Sequence, residues 1–404
     1  MQTVCPEQVG ISSSRLRHLD ATMQRYVDDG KLAGVVTLLA RRGQVFQAGC
    51  YGLADRERNR PMQTDTIFRL WSVTKVFTTT AVLMLYEQGY FALDQDIADF
   101  IPAFHDTKVY TNGEKLVKKE RPITIRQLLS HSTGMASISG QLGTPPELEM
   151  ANLFRTIRPG NELATVVERM AYVPLAFQPN TVWHYGPSLE VAARLVEIVS
   201  GKSFAAFLQD NLIDPLGLGD TGYNVSQSKA DRFSTFYARA EDGSLKIINT
   251  PEQSVHYIPQ GCMPEHFWTP GSFGLVSTPV DILRFAQMLS NRGDLDGVRI
   301  LAPRTVDLMV SNHLPPALLP YRFTGRQPLY GYGHGLGVHV LLDPGLAGIP
   351  CSQGEFWKDG GSGTLFWVDP RSELVGVVLY QLDPFWIHPV FAQVKALAYQ
   401  AIIE

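Results

Sequence analysis

The pattern of apolar and polar positions divides this chain into strand-forming ends and a helix-forming middle. From 12 to about 29, Leu16, Leu19, Met23 and Tyr26 recur at helical spacing, and Gly30 stops the run. Two short runs follow, 35–40 and 44–50, around the tight break Arg41-Arg42-Gly43; they predict a hairpin. Residues 76–90 have the apolar body of a second helix, closed by Gly89. In the middle, Thr124 and Gln127 form a capping-box pattern ahead of Leu128-Leu129. Pro187 opens a helix that runs through Val191, Leu195 and Ile198 to Gly201, and Ser203 caps another. Thr278-Pro279 with Asp281 opens a further helix, closed by Gly293. The runs 365–369 and 374–380 flank the turn Pro370-Arg371-Ser372-Glu373, and a last helix spans about 389–402. Strands at both ends with helices between them predict an α/β (α+β) chain. The ends close one antiparallel sheet flanked by helices, and the mainly helical middle is inserted as a second lobe. We place the sheet domain at 1–75 and 265–404, the helical domain at 76–264, and the active site in the cleft between them.

Composition adds exclusions. The chain has 404 residues, 45% hydrophobic and 18% charged, ordinary for a globular protein with a substantial core. Its 35 basic and 39 acidic residues give a net charge of −4, with no electrostatic footprint for nucleic acid. Lys115 to Arg121 (KLVKKER) reads as a solvated loop. Apolar runs fall far short of the ~18 residues a spanning helix needs. The start, from Met1, has no charged n-region before an apolar h-region, so we read the chain as complete and expect a cytoplasmic protein without membrane association. Cys5, Cys50, Cys262 and Cys351 form no C-x-x-C pair, and free thiols are expected. The ten histidines contain no H-E-x-x-H; no metal or cofactor is implied.

Three segments carry candidate chemistry. In Ser72-Val73-Thr74-Lys75, a serine and a lysine share one face at a helix start, where an ammonium can help the hydroxyl ionise or, as a free amine, take its proton. Ser226 and Lys229 repeat the spacing, but no apolar helix follows them. Taken alone, Ser72 reads equally well as a helix cap. In Trp183-His184-Tyr185-Gly186-Pro187, a lysine near the tyrosine would favour its phenolate, a general base; the plain alternative is a core aromatic. Lys358-Asp359-Gly360-Gly361-Ser362-Gly363-Thr364 runs into a strand and could present a backbone N–H to an oxyanion, or simply form a glycine-rich turn.

In this order the three segments resemble the serine β-lactamase and penicillin-binding-protein superfamily: S-x-x-K early, tyrosine midway, a K-T-G-like strand late. Leu128-Leu129-Ser130-His131-Ser132-Thr133-Gly134 and Phe366-Trp367-Val368-Asp369-Pro370 add similar phrases, and the likeness covers about residues 10–400. Within the superfamily the chain is most similar to class C-like serine esterases, the family VIII carboxylesterases, and to the lovastatin-type acyltransferase. The resemblance implies a β-lactamase/DD-peptidase-like fold. It implies Ser72 as nucleophile, Lys75 as the lysine that lowers serine and tyrosine pKa values, and Tyr185 as general base. The N–H groups of Ser72 and Gly361 would form the oxyanion hole. Two departures stand out. Pro187 replaces the asparagine of Y-x-N, and Asp359 replaces the threonine of K-T-G, where it would repel a substrate carboxylate. Both weigh against β-lactams and in favour of esters.

No G-x-S-x-G is present, so an α/β-hydrolase elbow is not supported. The alternating glycines Gly331, Gly333, Gly335 and Gly337 read as a small-residue strand lining a packed site. His131 reads as a structural hydrogen-bonder. Lys358, Asp359, Gly360, Trp183 and Trp357 are the candidate substrate-binding residues, with Phe356 beside them. The expected function is a serine carboxylesterase acting on small or medium acyl esters through an acyl-enzyme. The alternatives are an acyltransferase passing the acyl group to a small alcohol or amine, an amidase or D-amino-acid peptidase, a weak β-lactamase, and a catalytically silent scaffold. The expected partner is a small-molecule ester.

Overall fold

The strand Gly34–Arg41 is buried at every position. Its continuous apolar run reflects two covered faces rather than one. Val36, Leu38 and Ala40 enter a core with Phe77, Phe285 and Phe366. Val35 and Leu39 point the other way, into a second core with Leu16, Leu19, Met23 and Val394. This is the period-two alternation of a pleated strand. The helix Pro279–Ser290 packs on the first face; the helices Ser13–Asp28 and Val390–Tyr399 pack against each other over the second.

The computed structural model describes residues 2–111, 115–157, 162–250 and 268–404. Gly34–Arg41 pairs antiparallel with Leu374–Leu379 on one side and Gln44–Asp55 on the other, which joins the two ends of the chain. The full sheet runs Tyr332–His334, His339–Leu341, Phe356–Gly360, Thr364–Asp369, Leu374–Leu379, Gly34–Arg41, Gln44–Asp55, Arg60–Pro61. At the first hairpin, Arg42 (φ 53°) and Gly43 (φ 75°) both adopt the left-handed conformation that a two-residue turn between twisted strands requires. The expected caps form: Ser12, Thr124, Ser203 and Thr278 accept bonds from the backbone N–H groups of Arg15, Gln127, Ala206 and Asp281.

Between the sheet-forming ends lie the helices Ile125–Ser130, Pro145–Thr156, Leu163–Tyr172 and Ser188–Ser200, the last packed against Thr74–Glu87. This region is not purely helical. Phe236–Arg239 pairs with Leu245–Asn249 and, in parallel, with Leu382–Asp383 from the chain's end. Lys115–Lys118, expected as loop, is a strand paired with Lys108–Thr111. All four of its residues are exposed. Its partner strand buries Val109, but this strand has no buried face, so its residues lack the alternation that marks a strand and read as loop. The expected boundary at 264/265 and Cys262 lie outside the described residues. Of the other cysteines, Cys5 and Cys50 are exposed and Cys351 is buried, all free. No described helix is long and apolar enough to cross a membrane.

Two side chains of the glycine-rich segment tie the sheet to the turn preceding Thr74–Glu87. Ser362 Oγ donates to the Arg69 carbonyl (2.7 Å) and Thr364 Oγ1 to the Leu70 carbonyl (2.9 Å). A side chain at Gly360 would collide with the same Leu70 carbonyl and with Thr364 Oγ1. Gly360→Ala should therefore destabilise the protein by about 1–3 kcal/mol, the usual cost of overpacking. Thermal denaturation followed by circular dichroism measures it; an unchanged Tm would show that this contact yields freely.

Candidate active site

Ser72 lies in a 3-10 turn, Trp71–Val73, that runs into the buried helix Thr74–Glu87. Before it, Leu70 N–H donates to Leu275 O (2.9 Å) and Phe68–Arg69 pairs with Val276–Ser277. Trp71 has φ 50°, a conformation that bulky side chains rarely adopt. Such backbone persists only where surrounding contacts hold it, and here the Ser362 and Thr364 hydroxyls hold the two residues before it. A Cβ on Gly361 would come within 3.2 Å of the Trp71 ring, so the glycine allows the end of strand Phe356–Gly360 to approach the serine turn.

One helical turn on, the buried Lys75 Nζ donates to Ser72 Oγ (3.1 Å) and to the Ser272 carbonyl (2.8 Å). Burial drives its pKa well below 10.5; the Lys358 charge adds to this, and Glu190 and Asp359 oppose it. Glu190, fully buried on the helix Ser188–Ser200, accepts from the backbone N–H groups of Gly271 and Ser272 (3.2 Å to the latter). Burial raises its carboxyl to about 7, against the pull of Lys75. Thr78 Oγ1 donates to Gly271 O (2.6 Å), so the segment that receives Lys75 is clamped from both helices.

The Tyr185 phenol opens onto the same cavity as Ser72, whose hydroxyl favours the ionised phenol. Its ring lies under two amines, with Lys75 Nζ 4.7 Å and Lys358 Nζ 4.9 Å from the centroid. The expected phenolate does not follow from these lysines: burial outweighs the nearby Ser72 hydroxyl and raises the phenol above its usual 10. Lys358 is itself shifted down to about 8 by burial. His131, the left-handed C-cap residue of Ile125–Ser130, packs 4.5 Å from the Tyr185 ring. Its Nδ1 meets Ser188 Oγ at 3.2 Å, and burial keeps it well below 6.5 and hence neutral. His184 Nε2 contacts the buried Glu147 (3.0 Å), which fixes the segment leading into Tyr185.

Ser72 and Tyr185 open onto a cavity of about 270 Å³ together with Asp359 and Gly361. The structure thus brings Ser72, Lys75, Tyr185, Asp359 and Gly361 to one place. The other candidates lie elsewhere. Lys358 is wholly buried behind Tyr185, because alternate residues of a strand point to opposite faces. Gly360 packs on Leu70. Trp183 packs between Tyr321 (4.5 Å) and Phe323 (5.1 Å) and borders a neighbouring cavity. Trp357 stacks on His339 at 4.1 Å, and Phe356 is core. Lys229 is bound to Gly219 O and Asp220 rather than to a serine. Gly333, Gly335 and Gly337 each admit close neighbours, Gly337 the buried Thr79, as in a packed strand. Among the described residues no group of three or more His, Cys, Asp or Glu could hold a metal.

Several pocket residues carried no motif: Ser137, Ser139 and Gln141 on one loop, Phe323 and Arg326 on another, Phe385 and Trp386 near the end of the chain. Glu190 was also missed. Its place in the first turn of a helix reads as a dipole-compensating acid, and only the packing reveals its burial.

The beta-lactamase family model matches residues 19–398. Lovastatin esterase of Penicillium rubens is 30% identical over 388 residues, covering 89% of this chain and 91% of that protein. Esterase EstB of Burkholderia gladioli is 29% identical over 375 residues, covering 89% and 88%. The solved structure of EstCE1, described as a hydrolase with promiscuous acyltransferase activity, matches with a TM-score of 0.78 at 26% identity, covering 96% of this chain and 98% of that one. With a serine, a lysine and a tyrosine clustered around one cavity, and with these matches across nearly its whole length, the chain belongs to the beta-lactamase family.

Proposed function

We propose that Ser72 is the nucleophile, Lys75 the proton acceptor and Tyr185 the proton carrier of a serine esterase that works through an acyl-enzyme. The family match and the esterase and acyltransferase relatives support a serine ester hydrolase or acyltransferase. The observation that carries the residue assignment is the clustering of the three groups: Lys75 Nζ lies 3.1 Å from Ser72 Oγ and 4.7 Å from the Tyr185 ring centroid, and Ser72 and Tyr185 line one cavity. Buried without a carboxylate in ion-pair range among the described residues, Lys75 is the group most readily neutral. In that form it accepts the Ser72 proton, directly or through the phenol.

Ser72 Oγ attacks the ester carbonyl. The oxyanion faces the N–H of Ser72, in the first turn of its helical segment where helix N–H groups lack an internal partner, and that of Gly361, just past the end of its strand. The intermediate collapses as Tyr185 passes its proton to the departing alcohol oxygen and is reprotonated by the ammonium of Lys75, which returns the proton taken from Ser72. Water then attacks the acyl-enzyme with the same groups in reverse; a bound alcohol in its place would give acyl transfer. Asp359 on the cavity wall and Pro187 at the start of Ser188–Ser200 support esters over β-lactams. The small-molecule ester is the substrate class we assign.

A fluorophosphonate probe should label the wild type and not Ser72→Ala, and p-nitrophenyl butyrate should be hydrolysed in preference to a chromogenic cephalosporin. An unlabelled but folded wild type would defeat the nucleophile, and the reverse substrate ranking would overturn the ester assignment. Tyr185→Phe should slow acylation by about 100-fold or more; stopped-flow acylation near the wild-type rate would remove the phenol from the mechanism.

The rate should also report Lys75. Because the amine must be neutral to accept a proton, kcat/KM should rise with pH along a limb well below 10.5. The Glu190 carboxylate holds the proton on Lys75, so Glu190→Gln should move that limb down by about one pH unit. The Lys358 charge expels it, so Lys358→Met should move the limb up by about as much. Shifts in the same direction, or none, would show that Lys75 is not the titrating base.

A further inference from the structure

Beyond the chemistry at Ser72, the same cavity contains a cation to which that chemistry gives no task. Arg326 lies on its wall, on a loop separate from the strand that carries Asp359. The guanidinium carbon is 4.0 Å from the Trp386 ring centroid, 5.3 Å from that of Phe323 and 5.5 Å from that of Phe385. Three rings therefore cradle the faces of the group. Stacking occupies the π-face of a guanidinium and leaves its edge N–H donors free to bind an oxyanion in bidentate fashion. Among the described residues Arg326 enters no ion pair. Asp359, the acid on the same cavity wall, enters none either, so neither charge neutralises the other by contact.

Its position adds a geometric argument. Thr324, Gly325 and Arg326 also border the adjacent cavity of about 570 Å³, together with Trp183, Tyr321 and Leu318. Arg326 thus borders both the cavity that contains Ser72 and the larger one beside it. A substrate whose carbonyl reaches Ser72 and whose other end extends to Arg326 meets an oriented, unpaired cation. The cradle holds the side chain before the ligand arrives, so little rotamer freedom is left to lose on binding. A cation serving only to pack these rings would not need its edge open to the cavity.

We propose that Arg326 is a specificity-determining residue, and that the preferred substrates are esters bearing a carboxylate at the end remote from the scissile bond. The inference rests on the reading of Ser72 as nucleophile. Asp359 limits where the carboxylate can lie: toward Arg326 and away from the strand Phe356–Gly360.

The test compares kcat/KM for ethyl butyrate with that for monoethyl succinate, glutarate and adipate, followed by acid release. Wild type should favour at least one half-ester over the neutral ester. Arg326→Gln should lower that ratio by about tenfold or more, through KM for the anionic substrate. Arg326→Lys, which keeps the charge and loses the fork, should retain part of it. Asp359→Asn should move the ratio the opposite way. A ratio within about twofold of wild type in Arg326→Gln, in protein still labelled at Ser72 by the fluorophosphonate, would overturn the proposal and leave the nucleophile standing. Absence of labelling in the wild type would instead overturn the nucleophile reading, and this inference with it.

Discussion

The site depends on an amine held in a place where it is costly to keep it charged. Lys75 is enclosed by the helix that bears it, by the segment beginning at Gly271 and by the Tyr185 ring, and its donors go to a hydroxyl and a carbonyl. With no carboxylate in ion-pair range among the described residues, burial outweighs the opposing fields of Glu190 and Asp359. A lysine so placed can serve as a base near neutrality, whereas on the surface it could not. Much of the surrounding structure follows from this constraint. Glu190 is set back, spending its hydrogen bonds on the Gly271 and Ser272 N–H groups and acting on Lys75 only through its field. Lys358 supplies a second positive field behind Tyr185.

The glycine-rich segment at the end of the sheet has a double role. Its small residues permit close approach: Gly360 against Leu70, Gly361 against Trp71. Its hydroxyls, Ser362 and Thr364, hold the carbonyls of the turn that presents Ser72. One short stretch thus holds the turn that carries the proposed nucleophile and packs Gly361 against Trp71 next to it. The cavity walls, by contrast, come from loops and from Phe385 and Trp386 near the end of the chain. Binding residues are commonly placed on loops held by a rigid scaffold.

Much of the secondary structure was legible because its signals are local. Ser12, Thr124, Ser203 and Thr278 cap helices through their own next few residues, and the Arg42-Gly43 turn needs only two backbone conformations. Lys115–Lys118 was misread because an exposed strand carries no apolar alternation. Trp357 was misplaced because aromatic composition does not distinguish a cavity wall from a stack one layer behind it.

What the amino-acid sequence determined alone is the inventory of the site and its order: a serine and lysine one helical turn apart, a tyrosine before a helix start, and glycines with hydroxyls before a strand. Spacing along one element is a local property, and sequence carries it in full. What the tertiary structure decided is the charge on those groups and which neighbours they face. Lys75 holds its proton less tightly than a free lysine, Tyr185 more tightly than a free tyrosine, Glu190 became a buried acid, and Arg326 stands at the cavity wall with no ion pair among the described residues. Those outcomes depend on desolvation and on fields from residues as far apart in the chain as 75, 190, 272 and 358. Only folding sets those distances.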